Sequence, residues 1–357
     1  MTCRTLAAVV TAASITGCGG GGGASTVAQS PQYDYTLGAA SSDTAARSRI
    51  AEIINVTADY VAPDDGTTYD SINDANVALN SGGDPIATTD TGAAAAWSAG
   101  WTGKGVNVWQ LGTFNSNGLV DTEGDYQSIV LGSIAPEINR TWRDWSSYTN
   151  PLSEFGIEMI DNGADIALLE GYYSYDTGTT ADSNDLATFV SAYSPAATGN
   201  NFEQTSVLAV IASGFTGSCS SNTVTVCNGI AAQMDALRSE GKATSPAVMI
   251  VGELNDAGTD IEVNSLRAGD NVQDFILAHN DVLTSGDGDA SGYSAARVAG
   301  AGALLKHKFP NLNGAAIKQI LLQTATDMGV AGPDATYGYG SLNLTNALSP
   351  QGKVVPK

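Results

Sequence analysis

Histidine is almost missing from this chain. There are two in 357 residues, His279 and His307, and none precedes position 279. Any mechanism that takes an imidazole base from the N-terminal three quarters of the sequence is excluded. Basic residues are also scarce: 15 Lys and Arg stand against 37 Asp and Glu, a formal net charge of -22. A field of that sign repels nucleic-acid phosphates and anionic lipid headgroups, so neither is an expected partner. Its plainest consequence is solubility. Only four cysteines occur, Cys3, Cys18, Cys219 and Cys227. With two histidines they are too few and too scattered for a zinc centre. No cofactor is expected. The acidic loops Asp182–Asp185 (DSND) and Asp287–Asp289 (DGD) offer clustered oxygens of the kind Ca2+ takes. Neither matches a strict calcium-loop pattern, and solvated loops are the expectation.

What is present points to an exported protein with one large domain. Hydrophobic residues make up 43% of the chain and charged ones 15%, enough for a substantial core. Arg4 is followed by the short apolar run Leu6–Ala13, far below the ~20 residues a membrane-crossing helix needs. Ile15-Thr16-Gly17-Cys18 comes next and resembles the bacterial lipobox. That resemblance implies cleavage before Cys18, lipidation of its thiol, and a membrane-anchored lipoprotein of the cell envelope. The glycine run Gly19–Gly23 suits a flexible tether behind such an anchor. Cys3 then leaves with the leader. Cys219 and Cys227, both within SCSSNTVTVC, are expected to form a local disulfide outside the cytoplasm. The expected organisation is a signal peptide at 1–17, lipidated Cys18 and tether over 18–30, an N-terminal arm over 31–90, a folded domain over 91–348 and a tail over 349–357.

From Thr91 onward helical and strand signals alternate. Short apolar runs at Val106–Leu111, Ile166–Leu169, Val207–Ala212 and Ala247–Val251 read as buried parallel strands. Helices are expected at Leu152–Ile160, Ala187–Tyr193, Ile230–Ser239, Tyr293–Lys308 and Ala315–Ala325. The fold class is therefore α/β, a doubly wound parallel sheet with helices on both faces. Tyr293–Lys308 (YSAARVAGAGALLKHK) is apolar on nearly every side, as a helix through the interior must be. Asn313 is placed to cap the next helix, and Gly329 follows its expected end.

Several segments, in order, resemble the subtilase family of serine peptidases. They are Gly103–Thr113 (GKGVNVWQLGT), Ser265–Gly269 (SLRAG), Ala290–Gly300 (ASGYSAARVAG) and Phe309–Leu348, with YGYG inside it. The resemblance covers about Thr91 to Leu348 and implies a subtilisin-like fold. It also implies a site at which serine, histidine and aspartate meet, with an asparagine amide completing the oxyanion hole.

Residue by residue, that chemistry is missing. The aspartate position falls on Gly112, which has no carboxylate, and Gln110 is the nearest polar neighbour. The serine position falls on Gly292. Ser291 and Ser294 lie beside it, but one residue of slip at a helix N-terminus turns a side chain by about 100°. The histidine position falls near Ser153 by chain spacing, or on Tyr126 by the local Val130…Gly132 pattern. The oxyanion asparagine is replaced by Phe215. His279 is the one histidine near the expected cleft; His307 lies at the charged end of the buried helix. The expectation is a pseudo-peptidase that binds peptide or protein partners in the cell envelope. The alternative is a serine endopeptidase with a rearranged site built on Ser291 or Ser294 with His279.

Overall fold

The computed structural model describes residues 60–61, 68–69, 91–114, 123–170, 207–214, 247–255, 257–280 and 291–349. Cys18, Cys219, Cys227, Phe215, both acidic loops and the helices expected at Ala187–Tyr193 and Ile230–Ser239 lie outside these residues.

Two short strands, β1 (Tyr60–Val61) and β2 (Thr68–Tyr69), pair antiparallel. The folded domain then begins with helix α1 (Thr91–Ser98) and strand β3 (Asn107–Gly112). Helix α2 (Glu123–Ile134), strand β4 (Asn139–Asp144) and helix α3 (Pro151–Asp161) follow. Strands β5 (Ile166–Leu169), β6 (Leu208–Ala212), β7 (Val248–Leu254) and β8 (Phe275–His279) complete the sheet. The chain continues through α4 (Ser291–Lys308), α5 (Gly314–Gln323) and the short α6 (Leu344–Ala347).

All six strands of the main sheet are parallel, in the order β4-β3-β5-β6-β7-β8. Successive side chains of a strand face opposite ways, and here both faces are covered. Ile166, Leu168, Leu208 and Val210 join one apolar cluster, with α1, α2, α4 and α5. Ala167, Leu169, Ala209 and Ile211 join the other, with α3. This double coverage explains why β5 and β6 read as unbroken apolar runs.

Helix α4 is buried continuously from Ser291 to Leu305 and packs on α2 and on β5 to β8. Gly300 permits the approach to α2, since a Cβ there would lie 2.7 Å from the Ile134 side chain. Asn313 does cap α5, its side chain accepting from the Ala316 N–H at 2.9 Å. The helix stops earlier than the sequence suggests, at Gln323, where the Thr324 hydroxyl donates to the Ile320 carbonyl at 2.6 Å. Gly329 is a left-handed residue in the following loop (φ 77°), not the helix terminator.

Among the described residues no helix is long and apolar enough to cross a membrane.

Candidate functional site

The C-terminal ends of parallel strands leave a crevice where the sheet meets the first turn of a helix. Here Gly112 ends β3 and Gly292 sits in the first turn of α4. Neither glycine faces empty space. A Cβ on Gly292 would fall 1.9 Å from Glu123 Oε1 and 2.5 Å from Gln127 Nε2. A Cβ on Gly112 would fall 3.1 Å from Glu170 Oε2. Two glutamates thus fill the space that side chains at 112 and 292 would otherwise take.

Glu170 follows β5 and is buried. Its carboxyl accepts from the Thr113 N–H, from the Trp145 Nε1–H at 3.0 Å and from the Thr113 hydroxyl at 3.3 Å. It is also hydrogen-bonded to the Glu123 side chain. Two carboxyl groups form such a bond only when one holds a proton. Burial pushes the Glu170 carboxyl above the usual carboxylate range, against the hydrogen bonds from Glu123, Trp145 and Thr113. Glu123 lies beside the N-terminus of an 18-residue helix, where negative charge is favoured. Around the pair, Gln127 donates to Glu123 at 3.1 Å, Gln110 donates to the Gly124 carbonyl at 2.8 Å, and Ser128 donates to Gln110 at 2.7 Å.

This has a measurable consequence. The folded state raises the Glu170 pKa, so its contribution to stability is complete below the ordinary carboxylate range and is lost as pH climbs through the folded value. Glu170→Gln copies the protonated form. It is expected to match the parent near pH 4 and exceed it at pH 8, by about 1.4 kcal/mol per unit of displacement. Thermal unfolding across that pH range checks this; a variant less stable than the parent at pH 8 overturns the assignment.

The other sequence-derived positions fall in several places. Ser291 Oγ accepts from the Gly214 N–H at 3.1 Å, and Ser294 Oγ donates to the Ala278 carbonyl at 2.9 Å; both are fully buried. His307 Nδ1 accepts from the Thr102 N–H at 3.1 Å, with the Trp101 ring edge-on. His279 ends β8 and lines a cavity of about 220 Å3 with Arg297 and Ser341. Ser153 lies on α3, whose apolar residues join the cluster opposite α4, so the structure does not bring it to Gly112 and Gly292. The helix that packs on α4 is α2, which carries the other register, Tyr126. Its side chain lies outside the described residues. Glu123 and Glu170 escaped sequence reading, although Glu123 and Asp125 in one turn do mark a helix start. Among the described residues, no group of three or more His, Cys, Asp or Glu is placed to hold a metal ion.

A parallel sheet with a buried helix rising from the strand ends defines a subtilisin-like α/β protein. Comparison with known proteins agrees. The subtilase family (peptidase S8) matches residues 19–340, and the chain belongs to that family. An extracellular serine protease of Serratia marcescens is 41% identical over 69 residues, 19% of this chain and 7% of that protein. Serotype-specific antigen 1 of Mannheimia haemolytica is 40% identical over 57 residues, 16% of this chain and 6% of that protein. The matches thus span under a tenth of these relatives. Among solved structures, MycP1 from Mycobacterium smegmatis is similar at TM-score 0.51 and 18% identity, over 74% of this chain and 84% of that one. At that identity the likeness concerns the fold.

Proposed function

We propose that this chain is a pseudo-peptidase of the subtilase family, one that binds peptide or protein partners without cutting them. The observation that carries the reading is the Glu123 carboxyl at Gly292. Where a subtilase nucleophile is expected there is no hydroxyl, and a carboxyl stands in its place. The neighbouring serines support the same reading, because Ser291 and Ser294 are buried and hydrogen-bonded within the fold. An extended peptide is held in such a cleft by main-chain hydrogen bonds, a mode that needs no triad. On this proposal Cys18 carries the lipid that holds the protein at the cell envelope, and Cys219 with Cys227 closes a loop.

A fluorophosphonate probe, which labels only activated serines, is the direct test. No labelling is expected for the parent. None is expected for Gly292→Ser either, since the new side chain displaces Glu123 and meets no histidine base. Extended peptides should still bind, with unchanged affinity after treatment with a serine-directed reagent. Labelling of the parent that disappears in Ser291→Ala would establish the rearranged peptidase instead.

A further inference from the structure

The first turn of α2 is fixed to the end of β3 through its backbone. The Gly124 N–H donates to the Thr113 carbonyl at 3.1 Å, and the Gln110 side chain donates to the Gly124 carbonyl at 2.8 Å. The Glu123 side chain beside it is half-buried, so one change of rotamer takes its carboxyl to water. Glu170 has no such route. It is buried and tied to the ends of two strands, by Thr113 after β3 and by the Trp145 indole after β4. Of the two carboxyls that meet here, one can leave and the other cannot.

They lie together only while they share a proton. Once it is lost, like charges face each other at hydrogen-bond distance beside a buried group. That repulsion far exceeds the cost of one rotamer change. The charged neighbours do not relieve it. Both arginines of β4 are engaged elsewhere, Arg140 on the Ser128 carbonyl at 3.0 Å and Arg143 on Glu158, which also accepts from the Tyr148 hydroxyl. Arg297 of α4 lines the cavity at His279. The other described ionisable side chains on the elements packed here are Asp125 of α2, Asp144 of β4 and Tyr293 of α4, and none is a cation.

We infer that Glu123 is a pH-dependent plug on the crevice at the strand ends. With the proton shared, its carboxyl stands where a side chain at Gly292 would be. With the proton lost, it gives up the Gln127 amide, turns to water and uncovers Gly292. The inference rests on the reading of the chain as a peptide binder, since an extended peptide is what the uncovered crevice admits. Burial favours the proton-sharing state, so the change falls above the ordinary carboxylate range. Peptide affinity therefore rises with pH, and by reciprocity a bound peptide expels the proton.

The test uses the full-length protein and a capped, uncharged Thr/Val peptide that does not itself titrate. Between pH 5 and pH 8 its affinity is expected to rise by about tenfold for each unit by which binding displaces the titration. Glu123→Ala removes the plug and should bind tightly at both ends of the range. Glu170→Gln still accepts from Thr113 and Trp145, donates to Glu123 and never becomes charged. It should hold the plug in place and bind weakly even at pH 8. Opposite effects of two neighbouring variants are not what a merely structural role gives. A second readout needs no peptide. A nuclear Overhauser contact between the Glu123 side chain and the Gly292 α-protons is expected at pH 5, lost at pH 8, and kept at pH 8 in Glu170→Gln. A contact that persists in the parent at pH 8, or equal peptide affinity at both pH values, overturns the plug. A contact that switches while the peptide binds at neither pH keeps the plug and removes the peptide-binding reading.

Discussion

Lys318→Met is expected to lower the unfolding free energy by about 3–5 kcal/mol. Lys318 lies on α5 and bonds through Nζ to the Asp274 carboxylate just before β8. The two side chains are only 3% and 8% exposed. Each charge in the pair has left water, and the partner's field compensates for part of that cost. Methionine keeps most of the volume but leaves the Asp274 carboxylate buried without its cation. That penalty, more than the lost bond, dominates the effect. The double variant Lys318→Met with Asp274→Leu should recover most of the loss, since an apolar pair has nothing to desolvate. Urea unfolding of the parent and the variants measures both effects. A single variant within about 1 kcal/mol of the parent would mean that the pair is solvated.

Gly340→Ala is expected to cost about 3 kcal/mol or more, from two sources that add. Gly340 has φ +95°, where a side chain is strained by ~1–3 kcal/mol. A Cβ there would also lie 2.0 Å from the Thr326 carbonyl oxygen, a backbone atom that cannot swing aside. Overpacking of that kind adds ~1–3 kcal/mol. The Gly340 carbonyl accepts the Leu277 N–H, so displacing this segment uncovers the β8 edge. Faster exchange of the Leu277 amide should accompany the loss in stability. Gly332→Ala is the control: φ is +85°, but nothing lies within 4 Å of the added atom. It should show the backbone strain alone. Equal losses for the two variants would remove the close-contact term.

The buried elements were legible because burial writes itself into residue type. Strand β5 coincides with its apolar run, Ile166–Leu169, and β6 differs from Val207–Ala212 by one residue. The interior helix was visible in its small and apolar residues, though it starts two residues earlier, at Ser291. Other elements left a fainter trace. Strand β4 (NRTWRD) is an edge strand, and an edge is not required to be apolar. Helix α2 carries glycine, serine and glutamine among its apolar positions, which blurs a helical period. Chain spacing set the expected histidine register near Ser153, on α3 at the far face of the sheet, with Tyr126 on α2 as the alternative.

The sequence alone determined the subtilase-like α/β class and placed glycine, without a hydroxyl or a carboxylate, at 112 and 292. Such absences are local facts and need no folding to be read. Only the tertiary structure decided what fills the space they leave. Glu123 opens α2 and Glu170 follows β5, and no pattern along the chain links them. They meet because α2 packs on α4 with its first turn at the strand ends, where one shared proton lets a half-buried and a buried carboxyl lie side by side.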